Sequence, residues 1–353
     1  MNERICIFGA GAVGSYIGGH LIKAGHDVTI IDMWGSHVTA MNQNELIIHD
    51  LNFSNSVKVN AIHFTNALNL IEKFDIILIC VKSFDTEWAS HYVKNIVKPD
   101  GIIISAQNCM NDKMLASIVG HNHAIGMVMS TISVALWEPA VVKRGGETGK
   151  ERGYIIFRIG ELHGRIAERV HRLVEIMNDV DTAIPTSNIW GERWSKLASN
   201  ASSNPVQGMT GLASELGTNA DARRIQILIA KEVIQVGLKL GFDIEPFKGL
   251  PAEKWANADD GSVFEELDEL FITELKPKGS DHFSSMAQDT SKKRHSEIQH
   301  MNGFISNEGK RIGVQTPAND AVTSIISEID SHKSSPSPTN IQRALQMLSL
   351  IHI

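Results

Sequence analysis

Residues 4–14 of the chain read RICIFGAGAVG, a short apolar run that ends abruptly in three spaced glycines. A continuous apolar run of this length is typical of a strand buried on both faces of a parallel sheet. Gly9 permits a tight turn, Gly11 permits close approach of a pyrophosphate, and Gly14 permits a helix to pack on the sheet. The run therefore predicts a strand, a glycine-rich turn and a helix whose N-terminus binds phosphate groups.

The alternation of apolar runs and helix-like stretches continues through the first half of the chain. Further strand-like runs occupy residues 28–31, 75–81, 101–105 and 124–128. Strands that alternate with helices predict right-handed βαβ units. We therefore predict an α/β protein whose N-terminal part is a Rossmann-type doubly wound sheet.

The pattern changes at residues 184–188, IPTSN, and strand-like runs nearly vanish beyond them. We predict a dinucleotide-binding domain over 1–187 and an all-helical substrate and catalytic domain over 188–353. Helical periods occupy 223–240 and 341–350, and the acidic stretch 245–278 predicts a solvated surface excursion with one short helix at 264–275.

Asp32 follows the second predicted strand, 18 residues after Gly14. A carboxylate at this place accepts hydrogen bonds from the adenosine ribose and repels a 2′-phosphate, which favours NAD over NADP. The alternative is an aspartate in a solvated turn. The predicted cofactor-binding residues in this part of the chain are Gly9, Ala10, Gly11, Ala12, Val13, Gly14 and Asp32.

A second candidate site is a polar stripe formed by Lys196, Asn200 and Asn204, which recur at i, i+4 and i+8. On a helix they share one face, and their neighbours are small residues that let a ligand approach. An ammonium and two amides can donate to a carbonyl, a hydroxyl or a carboxylate. An exposed polar face is the alternative.

A third candidate is Ser285, which with Gln288 has the spacing of a capping box at a helix start. Ser285 and Glu297 are twelve residues apart, or about 18 Å on an unbroken helix. Both can reach one small substrate only if the helix breaks, so we predict a break near 293–296 with Ser296 as a second N-cap.

Composition excludes several classes of function. The net charge is −7, without a long basic run, which argues against nucleic-acid or anionic-membrane partners. No apolar run is long enough to span a membrane, and the N-terminus does not resemble a signal peptide. The three widely spaced cysteines favour neither a disulfide framework nor a metal site. We expect a cytoplasmic protein without a bound metal.

The motifs taken together resemble the ketopantoate reductase (2-dehydropantoate 2-reductase) family between about residues 4 and 325. The matching residues follow the family order along the chain: the glycine turn, Val81-Lys82, Gln107-Asn108, Lys196-x3-Asn200-x3-Asn204-Pro205, Ser285-Met286-x-Gln288-Asp289, Glu297, Asn302-Gly303 and Thr316-Pro317-x-Asn319. This combination is far more specific than a glycine-rich turn alone.

The resemblance implies a role for each matching position. Lys196 would be the general acid that protonates the C2 oxygen of a 2-keto acid, and Glu297 would hold and tune it. Substrate-binding positions would be Asn108, Asn200, Asn204 and Ser285, and Lys82 and Asn108 would lie at the cofactor. The family usually prefers NADPH, in conflict with the NAD indicated by Asp32, so NAD or NADP remains open.

Cys109 stands where the family usually has glycine, and His282 where asparagine is common, so the exact 2-keto acid is open. Pantoate formation is the default. The alternatives are a D-2-hydroxy acid dehydrogenase of the mandelate type, a 3-hydroxyisobutyrate-type dehydrogenase, and an NAD(P)-binding regulator without catalysis. A homodimer is one open assembly, and the last helix is a candidate for docking on a partner subunit.

Overall fold

We analysed the chain as a computed structural model, which describes residues 3–273 and 283–351. The chain divides into two compact units, 1–189 and 190–353. The division lies two residues beyond the predicted boundary at 187. Each unit is described separately below.

Unit 1 contains two sheets. Its strands are β1 (Arg4–Phe8), β2 (Asp27–Asp32), β3 (Leu46–His49), β4 (Ser54–Val57), β5 (Asn60–His63), β6 (Phe74–Ile79), β7 (Val97–Ser105), β8 (Ala124–Met129), β9 (Val134–Glu138), β10 (Val141–Arg144), β11 (Phe157–Glu161) and β12 (Ala183–Pro185). Its helices are α1 (Ala12–Lys23), α2 (Gly35–Asn44), α3 (Phe64–Ala67), α4 (Thr86–Val93), α5 (Asp112–Val119), α6 (Gly149–Arg152) and α7 (Glu168–Asn178).

The large sheet has the strand order β12-β11-β8-β7-β6-β1-β2-β5. Its strands run parallel except at the β8–β11 pair, which is antiparallel. Helices cover both faces, because alternate side chains of β1 enter different apolar clusters: Ile5 and Ile7 join one, and Cys6 and Phe8 join the other. The predicted doubly wound sheet is confirmed.

A second sheet of four strands, ordered β4-β3-β10-β9, was not predicted. Its strands are only four or five residues long, and Ser54–Val57 is mostly exposed. Short strands with polar residues lack the continuous apolar run that identified the strands of the large sheet. This sheet nevertheless supplies Val142 and Ile48 to the core over α1.

Unit 2 is helical throughout its described part, apart from one isolated bridge between Phe247 and Leu250. Its helices are α8 (Ile189–Thr210), α9 (Ala220–Lys239), α10 (Ala252–Ala256), α11 (Gly261–Thr273), α12 (Ser285–Ser291), α13 (Asn302–Ile312), α14 (Pro317–Asp330) and α15 (Asn340–Ile351). Short 3-10 helices lie at Ser83–Asp85 in unit 1 and at Ser214–Thr218 and Ile298–His300 in unit 2.

The predicted excursion 245–278 is more firmly packed than expected. It contains a helix that was not predicted, α10, whose Trp255 is fully buried and donates from Nε1 to the Phe247 carbonyl at 3.0 Å. On α11, Asp268 accepts two hydrogen bonds from Arg223 at 2.6 and 2.9 Å. Glu265, Glu266 and Glu269 of α11 are exposed, as predicted for a solvated acidic face, and Asp268 is the exception because it pairs with an arginine of α9. Residues 274–278 lie outside the described part.

The last helix, α15, packs within unit 2, where Ile341 and Ala344 are buried. Arg343 forms an ion pair with Glu328 of α14, and Gln342 donates to Asp221 of α9. One face of α15 is therefore covered by other helices of unit 2. No helix among the described residues is long and apolar enough to cross a membrane.

Candidate active site

The glycine turn joins β1 to α1, and its glycines meet different surroundings. Gly9 has φ +99°, and a Cβ there would lie 2.8 Å from Val81 Cγ1. A Cβ on Gly14 would lie 2.0 Å from the Gly9 carbonyl oxygen, whereas a Cβ on Gly11 would meet nothing within 4 Å. Gly9 and Gly14 are therefore required by the fold, and the open space at Gly11 can admit a ligand.

Gly11 is the N-cap of α1, and because it is a glycine it has no side chain that could cap the helix. The first turn of a helix has N–H groups without intrahelical partners, and the helix dipole adds partial positive charge there. With open space at Gly11 and no acidic residue in the first turn, these groups fit the pyrophosphate of a dinucleotide.

Asp32, at the end of β2, contacts the glycine turn directly. Its Oδ2 accepts a short hydrogen bond from the Ala10 N–H, and its Oδ1 accepts from the Trp34 N–H at 2.7 Å. Each carboxylate oxygen has a second lone pair with which it can accept from a hydroxyl. Asp32 thus orders the turn, a role that the sequence analysis missed.

His37 also supports the glycine turn from a fully buried position on α2. Its Nδ1 accepts from the Ala140 N–H at 2.8 Å, and its Nε2 lies 3.2 Å from Ser15 Oγ. Ser15 Oγ donates to the Ala10 carbonyl at 2.9 Å. Burial lowers the pKa of His37, consistent with a neutral ring whose Nε2 carries the proton. No spacing in the sequence indicates these contacts.

Lys82 and Asn108 follow β6 and β7, two neighbouring parallel strands. The Gln107 side chain connects their loops, since its Nε2 donates to the Val81 carbonyl at 2.9 Å and to Thr86 Oγ1 at 2.8 Å. Carboxyl ends of parallel strands are the usual ligand edge of such sheets. The structure therefore brings the Lys82 and Asn108 segments to one edge, where both residues are half-buried.

Cys109 is buried and has φ +68°, a left-handed conformation that glycine adopts more readily. Glycine, which the motif resemblance led us to expect at this position, would adopt this conformation without the strain of a Cβ. Cys6, Cys80 and Cys109, all within the described residues, form no disulfide bond.

In unit 2, α8 carries the predicted polar stripe. Asn200 and Asn204 are 8% and 7% exposed, and Lys196 is half-buried. Burial lowers the pKa of Lys196 to about 8, because the charged ammonium loses solvation more than the neutral amine does. A solvated polar face would not produce this shift.

The start of α12 lies against the C-terminal half of α8. The N-cap is Ser284, whose Oγ accepts from the Ala287 N–H at 3.3 Å, so the predicted capping box at Ser285 and Gln288 was wrong by one residue. Ser284 also donates from its N–H to Gln207 Oε1 at 2.8 Å and from its Oγ to the Asn204 carbonyl at 3.5 Å. These bonds bring the segment with Ser285 to the Asn204 end of the stripe.

Glu297 is buried, 5% exposed, and follows the predicted break in the helix. Helix α12 ends at Ser291, and Lys293 has φ +54°. The following 3-10 helix has Glu297 at its N-cap, one residue later than predicted. Ser296 nevertheless contacts the start of this helix, because its Oγ accepts from the Ile298 N–H at 3.3 Å and donates to Asp330 Oδ2 at 2.7 Å. His282 lies outside the described part of the chain.

Among the described residues, no group of three or more His, Cys, Asp or Glu side chains could hold a metal ion. The candidate chemical groups of the two units are the glycine turn of unit 1 and the lysine and amide stripe of unit 2.

The chain was compared with known proteins. The family profile described as "Ketopantoate reductase PanE/ApbA" matches residues 5–153, and that of its C-terminal domain matches residues 188–330. The chain belongs to the ketopantoate reductase family. The resemblance of the sequence motifs to this family is thereby confirmed, as is its oxidoreductase class.

Curated relatives cover nearly the whole chain. A 2-dehydropantoate 2-reductase of Pyrococcus horikoshii is 30% identical over 90% of this chain and 94% of its own length. One of Archaeoglobus fulgidus is 25% identical over 93% of this chain and 98% of its own.

Solved structures share the fold. A ketopantoate reductase of Ralstonia eutropha is 24% identical, covers 93% of this chain and 99% of its own, and superposes with a TM-score of 0.75. A D-mandelate dehydrogenase with NADH and anilino(oxo)acetate is 20% identical over 93% of this chain and 98% of its own, with a TM-score of 0.76.

Proposed function

We propose that the chain reduces the C2 ketone of a 2-keto acid, with 2-dehydropantoate as substrate and (R)-pantoate as product. One observation carries the proposal: Lys196 shares one face of α8 with two buried amides, Asn200 and Asn204. Burial also lowers the pKa of Lys196 to about 8. Membership of the ketopantoate reductase family supports this reaction.

A nicotinamide cofactor fits the residues of unit 1. The N-terminus of α1 would hold its pyrophosphate at Gly11, where a Cβ would meet open space. Lys82 and Asn108 would contact the cofactor from the edge of β6 and β7, and Asn108 would also contact the substrate. When bound, the reduced nicotinamide supplies the hydride.

Lys196 would donate its proton to the C2 oxygen. A pKa near 8 suits this role, because the ammonium is mostly protonated at neutral pH yet gives up its proton at modest cost. The ammonium also stabilises negative charge that develops on that oxygen. Asn200 and Asn204, one and two helical turns further on, would orient the keto acid by donating from their amides.

Ser285 and Glu297 would complete the substrate site. Ser285 lies in the segment that Ser284 holds against the Asn204 carbonyl, so its hydroxyl is a candidate donor to the substrate carboxylate. Glu297 is buried and would hold and tune Lys196.

We propose NAD rather than NADP as the preferred cofactor. Asp32 places a carboxylate at the end of β2, beside the Ala10 N–H of the glycine turn. A carboxylate there accepts from ribose hydroxyls and repels a 2′-phosphate.

For assembly and compartment, we propose a homodimer in the cytoplasm. Dimeric assembly is stated for a ketopantoate reductase of Staphylococcus aureus, which shares the fold with a TM-score of 0.69. The three cysteines form no disulfide bond, which is compatible with a reducing compartment.

The direct test is to incubate the purified chain with NADH and with NADPH, each against a panel of 2-keto acids, and to follow oxidation of the cofactor. We expect the highest kcat/KM with 2-dehydropantoate. A higher kcat/KM with phenylglyoxylate would reassign the enzyme to the mandelate type. Oxidation of neither cofactor with any keto acid would overturn the proposal.

A further inference from the structure

The stripe helix α8 contains a proline in its interior, Pro205, directly after Asn204. Proline has no N–H, so it cannot donate the usual helical hydrogen bond to the carbonyl four residues earlier, which is that of Ala201. Ala201 is fully buried, where an unpaired carbonyl is costly. The helix therefore has a weak point between the two amides of the stripe, Asn200 and Asn204.

Asn302, the first residue of α13, supplies a substitute donor. Its Nδ2 lies 3.1 Å from the Ala201 carbonyl oxygen, and Asn302 is itself fully buried. The amide of Asn302 thus donates to the acceptor that Pro205 leaves without a helical partner. A side chain from a distant segment thereby supplies the hydrogen bond that α8 lacks at Pro205.

The orientation of the Asn302 amide is set by a chain of buried groups. Its Nδ2 also donates to Asn319 Oδ1 at 2.9 Å, and Asn319 Nδ2 donates to Glu232 Oε2 at 2.7 Å. In this arrangement Asn319 turns its nitrogen to Glu232 and its oxygen to Asn302. Asn302 must then present its nitrogen to both Asn319 and Ala201.

Glu232 itself is held at the start of α14. Its carboxylate oxygens accept from the N–H groups of Ala318 and Asn319 at 2.8 and 2.9 Å. Glu232, Asn302 and Asn319 are at least 95% buried, so water does not compete for these hydrogen bonds. The chain from Glu232 through Asn319 and Asn302 to Ala201 connects α9, α14, α13 and α8.

We propose that Asn302 is a positioning residue that replaces the hydrogen bond lost at Pro205 and so aligns the two halves of the stripe. Lys196 and Asn200 precede Ala201, whose carbonyl has lost its helical partner, and Asn204 follows it. The catalytic consequence rests on the proposed function, since it assumes that the stripe binds the keto acid. Small misplacements of groups that orient a substrate can lower rates by about 100-fold.

The test is a double-mutant cycle in the full-length chain. Asn302→Leu removes the donor at similar size, and we expect kcat/KM for the keto acid to fall about 10-fold or more. Adding Pro205→Ala restores a backbone N–H that can donate to Ala201, so the double variant should recover most of the loss. A general loss of packing at residue 302 would not be repaired by a change on another helix.

A matched control is Ser306→Ala, one turn further along α13. Ser306 is also buried, and its Oγ has no hydrogen-bond partner among the described residues. We expect this variant to retain the kcat/KM of the wild type. Cofactor affinity, measured by fluorescence titration with NADH, should be unchanged in every variant if the effect is confined to α8.

Hydrogen exchange across residues 197–210 gives a readout that does not need catalysis. Asn302→Leu should speed exchange there, and the double variant should restore protection. If the wild type had no reductase activity but the variants still showed these changes in exchange, the proposed function would be refuted. The structural role of Asn302 in α8 would then still be supported.

The inference would be overturned if Asn302→Leu had the same kcat/KM and the same hydrogen exchange as the wild type. It would also be overturned if the double variant recovered none of the loss, or if neither the single nor the double variant folded.

Discussion

Unit 1 and unit 2 prepare their polar groups for a ligand in different ways. In unit 1 the glycine turn offers backbone N–H groups and open space at Gly11, and a Cβ on Gly9 or Gly14 would clash with neighbouring atoms. In unit 2 the stripe of α8 offers side chains, and the helix that carries them is held at Ala201 by the side chain of Asn302. The first arrangement depends on missing side chains, and the second on buried polar ones.

The difference shows where each site is vulnerable. A backbone site is damaged by added volume, because its donors belong to the chain itself. A side-chain site is damaged by loss of a donor or a charge, either on the stripe or in the groups that hold it. The predictions that follow probe this contrast.

The largest effect is expected from Lys196→Ala, which removes the proposed acid. We expect kcat to fall about 100-fold or more, as general-acid effects do, with NADH affinity unchanged. Because burial lowers the pKa of Lys196 to about 8, wild-type reduction should slow as pH rises through that value and the ammonium is lost. Steady-state rates across a pH series check both statements, and an unchanged kcat in Lys196→Ala would refute the role.

The second effect concerns Glu232, the buried glutamate that Asn319 and Asn302 connect to α8. Burial raises the pKa of Glu232 to about 7, although the N–H groups of Ala318 and Asn319 oppose the shift. The folded state therefore binds a proton more tightly than the unfolded state does. Its contribution to stability is complete below the ordinary glutamate pKa and is lost as pH rises through about 7.

The difference between pKa values of 4.5 and about 7 corresponds to about 3 kcal/mol. Urea unfolding at about pH 5 and about pH 8 should show this loss in the wild type and a smaller one in Glu232→Gln, whose side chain stays neutral. Equal pH dependence in the two proteins would contradict the assignment.

The third test compares two glycines of the same turn. Gly14→Ala places a Cβ 2.0 Å from the Gly9 carbonyl oxygen, and we expect a loss of about 2 kcal/mol in the free energy of unfolding. Gly11→Ala meets no atom within 4 Å, so stability should hold while NADH affinity falls. Denaturant titration and cofactor binding separate the two. If Gly11→Ala bound NADH normally, the open space would not be the phosphate site.

The smallest effect is expected from Asp32→Asn, which keeps an acceptor but removes the charge. The ratio of kcat/KM for NADH over NADPH should fall about 10-fold, because a charged acceptor binds ribose hydroxyls more strongly than an amide does. Kinetics with both cofactors measure this ratio. A wild type that prefers NADPH would show that Asp32 serves only the Ala10 and Trp34 N–H groups.

Prediction from sequence succeeded where structure is local. The run 4–14 predicted β1, the turn and the start of α1, and the spacing of Lys196, Asn200 and Asn204 predicted one face of α8. It was less accurate where neighbouring residues compete for one role, as with Ser284 and Ser285 at the cap of α12. It missed α10 and the second sheet, whose segments are too short for a period to develop.

The position of Glu232 in the sequence of α9 indicates a buried polar contact. Glu232 interrupts the apolar period of α9, where neighbours such as Ile229 and Val233 are fully buried. A lone charge on a buried face predicts a specific partner, because an unpaired one is costly. The partner itself, the start of α14, could not be predicted from that position.

The amino-acid sequence alone determined the elements and the faces they present, because helix and strand periods follow from neighbouring residues. Only the tertiary structure decided which distant groups support the candidate site. His37 reaches Ala140 across 103 positions, and Asn302 reaches Ala201 across 101. Such hydrogen bonds depend on how packed elements meet, and a local pattern contains no information about that arrangement.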